Sequence, residues 1–315
     1  MAPRPAPIAI VGPTASGKSA LALELARRHP GTEIVSVDSM VVYRGMDVGT
    51  AKPTPAERAE VPHHLLDLAD PSEGFSVQRF QEAARTALEG IGARGRVALL
   101  VGGTGLYLRC VVDPLTLPGR WPELAAALDR EADGPGGTPG LHARLAGLDP
   151  AAAARILPNN RRRVVRALEV TLGSGRPFSS YGPGLSTYGR TPVRMVGLRL
   201  PRPLLDRRIA ARVAAQLEAG WLDEVRGLAV RPAGLSRTAR QALGYRELLA
   251  HVEDGVPLDQ AVEEIVRRTR AFARRQEAWF RRDPRITWAD VPGGDPGNAL
   301  AMVEAVLGDW ERWTC

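Results

Sequence analysis

Cysteine is nearly absent: 315 residues carry only Cys110 and Cys315. Two thiols so far apart in a chain this long imply neither a disulfide framework nor a zinc site. Histidine is thin as well. The five, at positions 29, 63, 64, 142 and 251, show no metal-ligand spacing, and adjacent His63 and His64 read as a loop pair. No apolar run approaches the roughly 20 residues needed to span a bilayer. Residues 1–7 lead directly into Ile-Ala-Ile-Val at 8–11, too short for a secretory core and better suited to a first strand. A cytoplasmic protein with no membrane partner is expected. Lysine is the last scarcity. Lys18 and Lys52 are the only lysines among 42 basic residues, the rest being arginine. In such a chain they suggest sites where a compact ammonium is wanted and a planar fork is not.

What is present is ordinary for a globular protein: 44% apolar and 24% charged residues, enough for one large domain or two smaller ones. The net charge of +7 and a pI near 10.1 favour polyanionic partners without requiring one.

Residues 1–112 alternate strand and helix signals. Strands are expected at 8–11, 33–37 and 97–101, with helices at 19–28 and 75–91, the latter turning Phe80, Ala84 and Leu88 inward. Such alternation predicts a parallel α/β sheet, and the unbroken apolar run at 97–101 fits a strand covered on both faces. From Asp113 the pattern breaks at Pro114, Pro118, Gly119 and Pro122. Residues 133–140, half of them glycine, read as a flexible loop, and 159–172 as a strong helix closed by Gly173 and Gly175. A strand signal returns at 193–200. Helices are then expected at 204–219, 240–251 and 258–282, with a last strand at 285–288. The simplest organisation is an α/β core of residues 1–113 and 191–315 around a helical insertion, 114–190. No internal repeat is visible.

The chemistry begins at Gly12-Pro13-Thr14-Ala15-Ser16-Gly17-Lys18-Ser19, a P-loop pattern with a strand before it and a helix after. Small residues let successive N–H groups face phosphate oxygens, and the helix adds its positive end. Lys18 supplies a mobile charge and the Ser19 hydroxyl suits Mg²⁺. A nucleoside triphosphatase also needs an acid at the end of a second strand. Here the strand at 97–101 runs into Gly102-Gly103-Thr104-Gly105 with no carboxylate. The strand-end acid of this half is Asp38. It suits metal binding or base catalysis, or else a turn cap. Thr104 could reach a ligand, or could belong to a plain strand–helix turn.

Two basic stretches follow. Residues 161–169 hold four arginines, and helical spacing turns Val164, Val165 and Leu168 inward and Arg162, Arg163 and Arg166 outward. Residues 265–282 hold seven arginines against Glu277. Positions 262, 265, 266, 269, 272, 273, 276, 279 and 280 keep helical spacing, which places Ile265, Phe272 and Trp279 in the core. Arginine stripes are usually solvated surface; two on a basic chain favour nucleic acid.

Together these pieces resemble the tRNA dimethylallyltransferases. The resemblance rests on the P-loop, on residues 36–53 (Ser-Val-Asp-Ser-Met-Val-Val-Tyr-Arg-Gly-Met-Asp-Val-Gly-Thr-Ala-Lys-Pro), 62–67, 100–107, 159–169 and 241–246, in order over nearly the whole chain. The stretch at 133–140 matches least. The resemblance implies a P-loop-type parallel α/β core with an inserted all-helical domain. It implies transfer of a dimethylallyl group from dimethylallyl diphosphate to N6 of the adenosine 3′ of the tRNA anticodon (position 37). Asp38 matches the family's proposed base, Arg212 a position that contacts the diphosphate, and Thr104 a residue lining the channel where the substrates meet. Contacts with the anticodon stem-loop are implied for Asp38, Ser39, Met40 and Val41; for Arg162, Arg163, Val164, Val165 and Arg166; for Gln241, Ala242, Leu243, Gly244, Tyr245 and Arg246; and for Arg274, Arg275 and Gln276. Mg²⁺ near Ser19 is the expected cofactor, and a monomer the expected state. Two rivals stay open on sequence: a P-loop small-molecule kinase, which would use ATP, and a non-catalytic RNA-binding nucleotide switch, which would not need Asp38.

Overall fold

The computed structural model describes residues 6–182, 184–185, 187–291, 293–294 and 296–307. Cys315 and residues 1–5 lie outside them. The chain divides into two compact units, one of Met1–Asp113 with Arg190–Cys315 and one of Pro114–Gly189.

The first unit opens with β1 (Ile8–Val11), α1 (Lys18–Arg28), β2 (Thr32–Ser36), α2 (Pro55–Glu60), β3 (His63–His64), α3 (Val77–Ala93), β4 (Val97–Gly102) and α4 (Gly105–Val112). The second unit holds α5 (Pro122–Glu131), α6 (Gly137–Leu148), α7 (Pro150–Ala153) and α8 (Arg161–Ser174). The first unit then resumes with β5 (Arg194–Arg199), α9 (Arg202–Glu218), α10 (Trp221–Ala229), α11 (Arg237–Arg240), α12 (Tyr245–Asp254), α13 (Leu258–Phe280), β6 (Ile286–Asp290) and α14 (Pro296–Leu307). Among the described residues no helix is long and apolar enough to cross a membrane.

The six strands form one parallel sheet in the order β3-β2-β4-β1-β5-β6. Alternate residues of a strand point to opposite faces, so both faces of a covered sheet must be apolar. Ile8, Ile10, Leu99 and Val101 therefore join α1 and α14 in one cluster, while Ala9, Val11, Ala98 and Leu100 join Phe80 of α3, Leu108 of α4 and Leu248 of α12 in the other. The register brings the site together. Val11 stands opposite Gly102 and Ser36 opposite Val101, so β1, β4 and β2 release their loops at one level of the sheet. In parallel α/β sheets, ligands bind at these carboxyl ends.

In the second unit, Leu128, Leu141, Leu145, Val164 and Leu168 form the core of a purely helical packing. Asn160 caps α8 by accepting the Arg163 N–H, and Gly175 ends it in the left-handed region, φ 67°.

Several expectations need correction. His63 and His64 are not a loop pair but the edge strand, set parallel against Ile34 and Val35, with His64 Nε2 2.6 Å from Glu33 Oε2. Two residues leave no periodicity to read. Residues 133–140 are not loop throughout. Gly136 at φ 92° launches α6 at Gly137, and Pro139 falls in the first turn, where its missing N–H has no intrahelical partner to lose. The helix expected at 240–251 begins at Tyr245 instead. Gly244 takes φ 85° so close to Trp221 that a Cβ would lie 2.0 Å from the indole. Phe272 and Trp279 are half-buried, not core. Arg275 lies over the Phe272 ring at 5.8 Å.

Candidate active site

The loop after β1 wraps tightly because its backbone uses conformations open mainly to small residues. Gly12 and Gly17 have φ of 156° and 91°, and Ala15 is held at 62°, a strained value for a residue with a Cβ. Gly17 is the N-cap of α1, so the helix begins with Lys18 and aims its unpaired N–H groups at the loop. Ser16 Oγ is buried and hydrogen-bonds to no described group, an orphan oxygen suited to a phosphate. Ser19 is exposed at the mouth.

A cleft of about 300 Å³ opens there, lined by Ala15, Gly17, Lys18, Ser19, Ala20, Arg208 and Arg212. Arg208 was not anticipated. Standing four residues before Arg212 on α9, it shares that residue's face, a spacing the sequence already carried. Its guanidinium donates to the Gly294 carbonyl. Lys18 Nζ donates to the Pro13 carbonyl at 3.2 Å. Burial and then the neighbouring Arg212 charge push the Lys18 ammonium down to about 8, against the pull of Asp38. Burial also lowers Arg212, again opposed by Asp38. A cluster of mutually repelling, desolvated cations lowers its energy by taking up an anion.

Asp38 lies just beyond β2. Its Oδ1 accepts the Met40 N–H at 2.8 Å, fixing a turn, while Oδ2 accepts no hydrogen bond from a described residue. Thr104 stands at the N-cap of α4 but caps nothing there. Its Oγ1 accepts the Ser39 N–H at 3.2 Å and lies 3.4 Å from Ser39 Oγ. This stitch ties the β4 turn to the Asp38 turn. Glycine at 102 permits the approach, because a Cβ there would sit 2.0 Å from the Val37 carbonyl oxygen. Among the described residues no group of three or more His, Cys, Asp or Glu could hold a metal.

Of the residues tied to nucleic acid by resemblance, Arg162, Arg163, Gln241, Arg246, Arg274 and Arg275 are exposed, and Ser39, Met40 and Leu243 partly so. Others face inward. Val164 and Val165 belong to the helical core, and Arg166 is tied to the Pro118 and Gly119 carbonyls and to Glu169. Val41, Ala242, Gly244 and Tyr245 are buried, with the Tyr245 hydroxyl donating to Glu224 Oε1 at 2.6 Å. Gln276 is also buried and reaches the phosphate loop: its Oε1 accepts the Thr14 N–H at 2.8 Å. Helical spacing had already turned Val164, Val165 and Gln276 inward; Arg166, read as outward, keeps part of its surface exposed.

The IPP transferase family model matches residues 41–283. The tRNA dimethylallyltransferase of Kineococcus radiotolerans is 53% identical over 307 residues, covering 95% of this chain and 96% of that one. That of Streptomyces coelicolor is 49% identical over 308 residues, covering 96% and 97%. Among solved structures, the full-length tRNA isopentenylpyrophosphate transferase of Bacillus halodurans is 38% identical, covers 99% of this chain and 98% of its own, and superposes with a TM-score of 0.70. A eukaryotic dimethylallyltransferase acting on tRNA, 26% identical, gives a TM-score of 0.77 and covers 95% of this chain and 77% of its own.

Proposed function

Because this chain belongs to the IPP transferase family, we propose that it transfers a dimethylallyl group from dimethylallyl diphosphate to N6 of the adenosine 3′ of the tRNA anticodon, releasing diphosphate. The observation that carries the reading is the distribution of charge at the strand ends. Lys18, Arg208 and Arg212 line the cleft at the phosphate loop, β4 ends in glycines, and Asp38 is the carboxylate that acts on both Lys18 and Arg212.

The reaction forms a bond from N6 to the allylic carbon and breaks the bond from that carbon to the diphosphate oxygen. The N6 lone pair is delocalised into the ring, which makes the nitrogen a poor nucleophile, and its N–H becomes acidic as the new C–N bond places positive charge on it. Asp38 Oδ2 takes the N6 proton. The electron pair leaves with the diphosphate, whose growing charge is met by Lys18, Arg208, Arg212, the loop amides and the Ser16 hydroxyl. Mg²⁺ fits only as a partner of the diphosphate, held on the protein side by the Ser19 hydroxyl, since Mg²⁺ bound with phosphates needs few protein ligands. When bound, it would neutralise part of the leaving group's charge. The tRNA is held by exposed arginines, including Arg162, Arg163, Arg246, Arg274 and Arg275, and its target base leaves the anticodon-loop stack to reach Asp38.

Incubating the protein with tRNA and dimethylallyl diphosphate, then digesting the tRNA, tests the reading. N6-dimethylallyladenosine in the nucleoside mass spectrum, with no turnover of ATP, is the expected result. ATP-dependent phosphorylation of a small molecule instead would identify a kinase.

A further inference from the structure

We propose that Gln276 is a positioning residue that clamps the phosphate loop to the turn carrying Thr104, and so fixes the spacing between the leaving diphosphate and Asp38. The proposal rests on the prenyl-transfer reading above.

Gln276 lies on α13, and only 6% of its surface is exposed. Both ends of its amide are used. Oε1 accepts the Thr14 N–H at 2.8 Å, and Nε2 donates to the Gly103 carbonyl at 2.9 Å. Thr14 belongs to the loop leaving β1 and Gly103 to the turn leaving β4. The strand pairing that joins these segments stops at Val11 and Gly102. Beyond that point the amide is the polar link between them. The site is shaped around it, since a Cβ on Gly103 would lie 2.3 Å from Nε2. One turn earlier on α13, Ala273 packs with Ala15 of the loop and with Leu205 and Ile209 of α9.

The clamp continues toward the base. Gly103 is followed by Thr104, whose Oγ1 accepts the Ser39 N–H at 3.2 Å, and Asp38 in turn accepts the Met40 N–H at 2.8 Å. A series of short contacts therefore runs from the phosphate loop through Gln276 to the Asp38 turn. Misplacing reacting groups by about 1 Å can cost on the order of a hundredfold in rate. A glutamine matched at both ends is a rigid way to prevent that. Its buried amide has nothing to offer an RNA surface.

Two variants test the clamp against the parent chain. Q276L keeps the approximate volume and removes both hydrogen bonds. Q276E keeps the acceptor for Thr14, but only a protonated carboxyl can donate to the Gly103 carbonyl. Inorganic pyrophosphate is titrated into each protein without tRNA, and prenyl transfer is followed with dimethylallyl diphosphate saturating and tRNA varied up to saturation. Q276L is expected to lose about tenfold in pyrophosphate affinity and tenfold or more in kcat, the size expected for orphaning one or two buried polar groups. The activity of Q276E relative to the parent is expected to rise as pH falls from 8 to 6, with no such recovery in Q276L. Parental pyrophosphate affinity and kcat in Q276L, with only the KM for tRNA raised, would make Gln276 a tRNA contact and overturn the proposal. So would a pH-independent ratio for Q276E. If the parent chain itself fails to prenylate tRNA, the functional reading fails, whereas the pyrophosphate titration still reports on the clamp.

Discussion

Replacing Asp38 by asparagine separates a base from a turn-former. In the parent, Oδ1 accepts the Met40 N–H at 2.8 Å while Oδ2 accepts no hydrogen bond from a described residue. Asparagine keeps an acceptor for Met40 and the side-chain volume, so the turn stays in place and only the proton acceptor is lost. A positioned general base contributes typically about 10²- to 10⁴-fold, or roughly 2.7–5.5 kcal/mol of barrier at 1.36 kcal/mol per tenfold. A second effect runs through the cations, because Asp38 raises the pKa values of both Lys18 and Arg212. Without it the Lys18 ammonium falls below about 8. The comparison therefore belongs at pH 6.5 to 7, where that lysine stays largely charged. The assay is single-turnover prenyl transfer with saturating tRNA and dimethylallyl diphosphate, read as N6-dimethylallyladenosine in tRNA digests. Pyrophosphate affinity is measured in parallel. The expected result is a rate lower by 10²-fold or more with pyrophosphate affinity within a few-fold of the parent. Transfer at the parent rate would refute the base assignment. A loss confined to pyrophosphate affinity would move Asp38 from the acceptor side to the donor side.

Lys18 sets the pH response of donor capture. Burial and the Arg212 charge push its ammonium down to about 8, and it must be charged to meet a diphosphate, so kcat/KM for the donor should fall as pH rises through 8. A flat profile between pH 7 and 9 would show that Lys18 is not needed in charged form. Lys52 is the structural lysine: its side chain is 1% exposed, and Nζ lies 2.6 Å from both Asp47 Oδ1 and Asp67 Oδ1 and also donates to the Tyr43 carbonyl. Lys52→Met should destabilise by up to about 3 kcal/mol, the lower end for a broken buried pair because both aspartates keep some solvent. An unchanged Tm would contradict this. Gly102→Ala places a methyl 2.0 Å from the Val37 carbonyl oxygen, which backbone alone must relieve. About 1–3 kcal/mol of destabilisation is expected by denaturant titration, together with reduced transfer, because the same contact aligns Thr104 with Ser39. The double change of Arg162 and Arg163 to alanine should weaken tRNA binding and flatten its salt dependence, leaving pyrophosphate affinity untouched. An equal loss in both titrations would place those arginines in the donor site.

The strand, loop and helix start around Gly12–Ser19 were legible because all three have local signals. The parallel sheet was legible in the unbroken apolar run ending at Val101. Edge strand β3 was not, since two histidines paired through their backbones carry no pattern. Trp221 of α10 explains another miss. Its ring packs where Gly49 and Gly244 lack side chains, 195 residues apart in sequence, and only the fold joins them. The inward positions of α8 were read correctly from spacing, which placed Val164 and Val165 in the core. Motif resemblance then assigned the same residues to tRNA. Where periodicity and a contiguous motif disagree about a side chain, periodicity reports its direction, and the motif reports only that the segment matters.

The division of charge across the strand ends also argues for the bond that breaks. In phosphoryl transfer the phosphorus–oxygen bond is cleaved, so metal, acid and nucleophile must converge on one phosphate. In prenyl transfer the carbon–oxygen bond is cleaved. Negative charge then accumulates on the whole departing diphosphate while a proton is shed at the nitrogen, at the far end of the reacting carbon. Cations are needed at one end and a base at the other. Lys18, Arg208 and Arg212 cluster on the phosphate loop, and Asp38 stands at the end of β2, with the glycine-ended β4 lying between β2 and β1 in the sheet. A carboxylate at the end of β4 itself, where a nucleoside triphosphatase would carry its acid, would place negative charge beside the departing diphosphate. Introducing one tests the argument: Thr104→Asp should raise the KM for dimethylallyl diphosphate. It should not produce ATP hydrolysis, which also needs a group that positions a water in line with the terminal phosphate.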